Sequence, residues 1–208
     1  MSGAAAAATL GAALSVWGTL RYLRDVYGGR TAPHRGSWLV WSVVAVVAAV
    51  TQALHGVSWS LIVLAAEAAT TLAVLGAGVR RGVGSLTVGN AVLLLVAGAG
   101  ILAWITTEDP LPAMAGAALA DAAGLAWLVP KIWASPSTET SSMYALAGAS
   151  GLAAVVSVPA LDVMFLLYPG YFCVANWGVS LLIVWRRRTI DRVVAGRRVS
   201  AAGYARAG

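Results

Sequence analysis

Two carboxylates sit where carboxylates are rare. Glu67 lies in SLIVLAAEAATTLAVLGAGV and Asp121 in LPAMAGAALADAAGLAWLV, each about ten residues into a long apolar run. At that depth in a bilayer an ionised acid costs several kcal/mol unless it faces a cavity or a partner. Such a pair could couple a transport step to protons or bind a cationic or polyhydroxy ligand. The plainer alternative is a protonated acid hydrogen-bonded to a neighbouring helix for packing. Because intramembrane ionisable groups are rare and costly, the functional role is the stronger expectation.

Other residues add to this chemistry. Asn176 with Trp177 offers an amide and a stacking face for a sugar or an amino acid, or else an interhelical hydrogen bond and a lipid-facing indole. Pro130 and Pro169 interrupt apolar runs and free backbone carbonyls, as hinges for alternating access or as static kinks. The stretch Asp121 to Tyr144 gathers the most signals, with a carboxylate, a glycine, Pro130 and the sole lysine, Lys131, before a polar loop.

The elements that must position these residues are membrane helices. The chain of 208 residues is 60% hydrophobic and 11% charged, and its mean hydropathy of +0.81 excludes a water-soluble domain. Seven apolar runs cover roughly 3–24, 37–54, 58–79, 84–106, 111–130, 142–158 and 161–185. Each approaches the ~20 residues that cross a bilayer. The first run has no basic segment before it, so it does not read as a cleavable signal. A net charge of +6 does not imply nucleic acid, because the charge follows loop parity. With the N-terminus outside, every Lys and Arg falls in an inside loop or at a bordering helix end, whereas the outside loops carry Glu108, Asp109 and Asp162. That is the positive-inside pattern of an inner-membrane protein with a cytoplasmic C-terminus. Membrane lipid is an expected partner, nucleic acid is not, and a homo-oligomer stays open; the basic tail after Arg186 reads first as fixing topology and second as binding anionic lipid.

No phosphate-binding glycine loop or metal-binding histidine pair occurs. His34 and His55 stand alone in loops, and no lysine lies in the last run to hold retinal. Neither a metal, a cofactor nor an enzymatic reaction is expected. Cys173 alone cannot form an intrachain disulfide and reads as core packing.

Laid on itself at an offset of 106, the chain shows an internal repeat. Ser15 falls on Asp121, Gly18 on Gly124, Trp38 on Tyr144, Thr70 on Asn176, and Arg80-Arg81 on Arg186-Arg187. Helices one to three thus match five to seven, and the extra helix restores the orientation of the second triplet. The expected architecture is all-α, with two parallel three-helix repeats joined by an inverting helix (3+1+3). The units are 1–82, a linker helix at 83–109, 110–188, and a basic tail at 189–208. Ser15 and Thr70 enter the candidate site as repeat partners of Asp121 and Asn176.

A 3+1+3 parallel repeat resembles the SWEET and PQ-loop superfamily. In that family a proline, usually followed by glutamine, ends the first helix of each repeat, and a Lys/Ser/Thr-rich loop follows. Pro130-Lys131, Ser135-Pro136-Ser137-Thr138-Glu139 and Ser142-Met143-Tyr144 resemble this pattern, and PHRGSWLVW at Pro33 to Trp41 resembles seven-helix bacterial members. Lys131 replaces the glutamine, and the first repeat has Arg24-Asp25 in place of the pair. The sugar-transporting members carry an asparagine in the third helix of both repeats, where this chain has Thr70 and Asn176. The resemblance implies a transporter of a small polar solute, sugar-like or amino-acid-like. The alternative is a non-transporting receptor or accessory protein on the same fold, as the KDEL receptors are.

Overall fold

The computed structural model describes residues 2–55, 59–85, 88–107, 111–158 and 163–207. The acidic loop residues Glu108, Asp109 and Asp162, and Gly56 of the turn expected after His55, lie outside the described residues. Among those described there are seven α-helices and no strand: α1 (Gly3–Tyr27), α2 (Arg35–His55), α3 (Ser60–Arg81), α4 (Val88–Thr107), α5 (Leu111–Ala134), α6 (Ser141–Ser157) and α7 (Val163–Ala207). A 3-10 turn, Pro136–Thr138, joins α5 to α6.

Composition explains the helices, and short polar segments explain where they stop. Ser2 caps α1, its hydroxyl accepting from the Ala5 N–H at 3.3 Å. The same helix ends at Gly28-Gly29, where Gly29 adopts a left-handed φ of 71°. Four stretches are long and apolar enough to span a bilayer: Gly3–Tyr27, Leu61–Arg81, Ala115–Ala134 and Leu166–Ala195. Arg35–Val50 and Ser141–Ser157 are apolar but shorter. The final helix does not stop at Arg186–Arg188; α7 continues to Ala207, so the expected basic tail is helical. Its Arg- and Ala-rich sequence favours the extension.

Packing follows one scheme in both halves. α3 packs on α1 and on α2, which do not pack on each other; α7 packs on α6 and on α5, which also stay apart. Across the halves α1 lies against α6 and α2 against α5, while α4 rests on α5 and the edge of α2. The largest core cluster contains four pairs of positions 106 apart: Tyr22 and Leu128, Val26 and Ile132, Trp38 and Tyr144, Ala77 and Ile183. An arginine clasp also recurs. Arg81 donates to the Tyr27 carbonyl at 3.1 Å and lies over the Tyr27 ring. Arg186 does the same to Trp133, donating to its carbonyl at 3.0 Å.

The α1–α6 contact depends on glycine. A Cβ at Gly11 would stand 3.0 Å from the Ala153 Cβ, and one at Gly18 would stand 3.1 Å from the Leu146 Cβ. Both are backbone-anchored atoms that cannot swing aside. Gly11→Val and Gly18→Val should therefore each destabilise the fold by about 1–3 kcal/mol through overpacking. Gly76→Ala, where nothing lies within 4 Å, should be close to neutral. Thermal unfolding of the purified protein in detergent checks this, and equal midpoints for all three variants would contradict it.

Candidate functional site: a central cavity and the knot beneath it

A cavity lies between the halves, walled by α2, α3, α5, α6 and α7, and encloses about 60 Å³. Pockets that hold drug-sized molecules typically enclose ~300–1,000 Å³, so this cavity is narrow as it stands. Most of its lining is apolar or aromatic. Trp38 and Trp41 come from α2, Tyr144 from α6, and Tyr168 and Phe172 from α7. The polar lining is short: Glu67 and Thr71 from α3, Asp121 from α5 and Asn176 from α7.

Asp121 is held by close approach of α2 to α5. A Cβ at position 124 would stand 2.6 Å from Trp41 Nε1, so only glycine lets the indole in. Trp41 Nε1 then donates to the Asp121 carbonyl oxygen at 3.2 Å, and Ser37 Oγ donates to the Gly124 carbonyl oxygen at 2.8 Å. From α7, the Tyr171 hydroxyl donates to Asp121 Oδ2 at 2.7 Å. That bond is short, as expected for a carboxylate acceptor.

Glu67 sits where α1, α3 and α6 meet. Thr70 and Thr71 both donate to its backbone carbonyl, at 3.0 and 2.9 Å. Ser150 Oγ donates to Oε1 at 3.3 Å, and Ser15 of α1 also lies against the carboxylate. Ser15 Oγ is 3.4 Å from Thr70 Oγ1. Among the described residues hydroxyls alone serve Glu67, and a single phenol serves Asp121. Among the described residues no lysine, arginine or histidine lines the cavity.

Expected site residues thus separate into groups. Glu67, Asp121 and Asn176 share the cavity, with Pro169 in its wall. Ser15 and Thr70 stand behind Glu67, and the threonine that lines the cavity is Thr71. Asn176 Nδ2 donates to the Phe172 carbonyl of its own helix at 2.9 Å, leaving its amide oxygen for the cavity. Trp177 does not line it: the ring packs over Gly148, donates from Nε1 to the Ala145 carbonyl oxygen at 3.1 Å, and is 39% exposed. Pro130 and Pro169 both lie inside continuous helices.

Below the cavity, at the end where Arg24, Arg35, Lys131 and Arg187 gather, lies a knot that sequence reading does not assemble. Glu139 follows the 3-10 turn and is 1% exposed. Lys131 Nζ pairs with its Oε1. The hydroxyls of Tyr22 and Tyr144 both donate to Oε2, at 3.1 and 3.0 Å. Lys131 also donates to the Ala32 carbonyl, and Arg187 to the Glu139 carbonyl. Beside them Thr140 donates to Asp25 Oδ2 at 2.9 Å, and its hydroxyl meets that of Thr31 at 2.7 Å. Tyr22, Asp25, Thr31 and Ala32 belong to the first half and the rest to the second, so the knot ties the halves together. Burial pushes the Glu139 carboxyl above the usual carboxylate range, while the Lys131 ammonium and the two hydroxyls pull it back. The available signal was the sole lysine, Lys131.

Compared with protein-family models, curated proteins and solved structures, the chain gives no match.

A buried acid that loses its cation is costly, whereas a pair replaced together is not. Lys131→Met should destabilise the protein by about 3–5 kcal/mol, and Lys131→Met with Glu139→Gln should recover most of that loss. Denaturant unfolding in detergent measures both. A double variant no more stable than Lys131→Met would show that the pair does not act as a unit.

Proposed function

We propose that this chain is an inner-membrane transporter of a small polar solute, with its N-terminus outside and its C-terminus in the cytoplasm. Its architecture is read as seven spans in a 3+1+3 arrangement resembling the SWEET and PQ-loop superfamily. Three observations support the arrangement: the shared packing scheme of α1–α3 and α5–α7, the core positions 106 apart, and the recurring arginine clasp. In this reading α4 is the inverting helix.

The observation that carries transport is the cavity itself. It lies between two halves, holds Glu67, Asp121 and Asn176 deep within helices, and has a polar knot joining the halves at one end. A site between two units that can part at either end is the geometry of alternating access. Pro130 and Pro169 weaken α5 and α7 beside that site, since each lacks an N–H for the helix ladder. The two carboxylates suit a proton-linked step, because an acid facing a wet cavity can exchange protons with whichever side is open.

Reconstituted vesicles with an acidic exterior, offered labelled sugars, amino acids and amines, provide the test. Wild-type protein should accumulate at least one solute above empty vesicles. Glu67→Gln and Asp121→Asn, which keep size and hydrogen bonding, should each lower that accumulation at least about tenfold. Uptake indistinguishable from empty vesicles for every solute would contradict transport and favour the receptor alternative.

A further inference from the structure

Resting on the reading of the central cavity as the solute site, we propose that its ligand is a small organic cation, an ammonium on an apolar or aromatic body. The argument begins with charge. Glu67 and Asp121 face one cavity. No basic side chain among the described residues lines that space. Glu139, at the basic end, is answered by Lys131; among the described residues the two cavity acids are answered only by hydroxyls. Buried charge needs compensation, and here the protein leaves the positive partner to be supplied.

The walls narrow the chemistry further. Trp38 and Trp41 meet edge to face with centroids 5.1 Å apart, and Tyr168 and Phe172 stack at 6.2 Å. The pairs stand on α2 and α7, which do not pack on one another, so aromatic surface flanks the cavity from two separate walls. Ring faces attract ammonium groups, more strongly when water is excluded. A sugar needs several donors and acceptors around its hydroxyls, and the largely apolar and aromatic lining offers few of them. Asn176 gives one of its two amide N–H groups to Phe172, and Thr71 gives its hydroxyl proton to its own helix. An anionic or zwitterionic solute would place a carboxylate beside two acids with no cation to receive it. An ammonium with an apolar body satisfies both features of the lining.

Equilibrium dialysis of tritiated benzyltrimethylammonium against the full-length protein in neutral detergent tests the proposal. Competitors are its neutral isostere neopentylbenzene, phenylacetate and glucose. The cation should bind saturably, and the neutral isostere should displace it at least about tenfold more weakly than unlabelled cation does. Phenylacetate and glucose should not displace it. Glu67→Gln and Asp121→Asn should each weaken binding at least about tenfold, and Tyr168→Leu should weaken it about threefold. Absence of saturable cation binding by wild-type protein, or displacement by glucose or the neutral isostere as effective as by the cation, overturns the inference. Saturable cation binding without vesicle uptake upholds the inference and overturns transport, so the two readings fail separately.

Discussion

The structure depends on where Glu139 finds its compensation. A fully buried carboxylate loses solvation worth several kcal/mol and must recover it from protein groups. Here it does so from Lys131, Tyr22 and Tyr144, drawn from both halves of the chain. The α5–α6 connection is therefore not a free loop. Its turn is fixed from α7 by Arg187 on the Pro136 and Glu139 carbonyls, and its Thr138 carbonyl accepts from the Ala32 N–H at 3.2 Å. Lys131 directly follows Pro130, so the cation that anchors the knot rides on the part of α5 with the weakest backbone ladder.

The same element of chemistry is resolved differently above the knot. Asp121 is buried and Glu67 half-buried, and among the described residues both receive hydroxyls and no cation. The chain thus buries one acid beside its sole lysine and leaves two acids facing a cavity. Gly124 makes this arrangement possible, since a side chain there would expel Trp41 and with it the hydrogen bonds that bring α2 against α5. Packing, not propensity, sets the cavity's width.

Much of this was legible in the sequence, for physical reasons. Long apolar runs broken by short polar segments marked the helices to within a few residues, except for the end of α7. Their shared offset of 106 reappears in the buried pairs, and an arginine clasp recurs in each half. Glu67, Asp121 and Asn176 were found because depth in an apolar run is itself unusual. Partners were not legible. Helical periodicity gives a face but not its neighbour, so Trp177 was placed with Asn176 although one position along a helix turns about 100°, and the ring points out over Gly148. Thr70 and Thr71 are likewise adjacent, and only packing decides which one meets the cavity. Glu139 was hidden because a glutamate in a serine- and threonine-rich loop looks solvated until a tertiary turn buries it. The extension of α7 was hidden because hydrophobicity ends well before the helix does.

The central claim is that the Lys131–Glu139 knot holds the two halves together beneath the cavity. Pulsed electron paramagnetic resonance between spin labels at Arg24 and Ala134, with Cys173 replaced by alanine, tests it directly in lipid nanodiscs. Arg24 ends α1 of the first half and Ala134 ends α5 of the second, and both side chains are exposed. In the Lys131→Met, Glu139→Gln background the distance distribution should gain a component longer by several ångströms. A second pair at Ala6 and Val156, at the opposite end, should not lengthen. Distributions identical to wild type at both pairs would contradict the account.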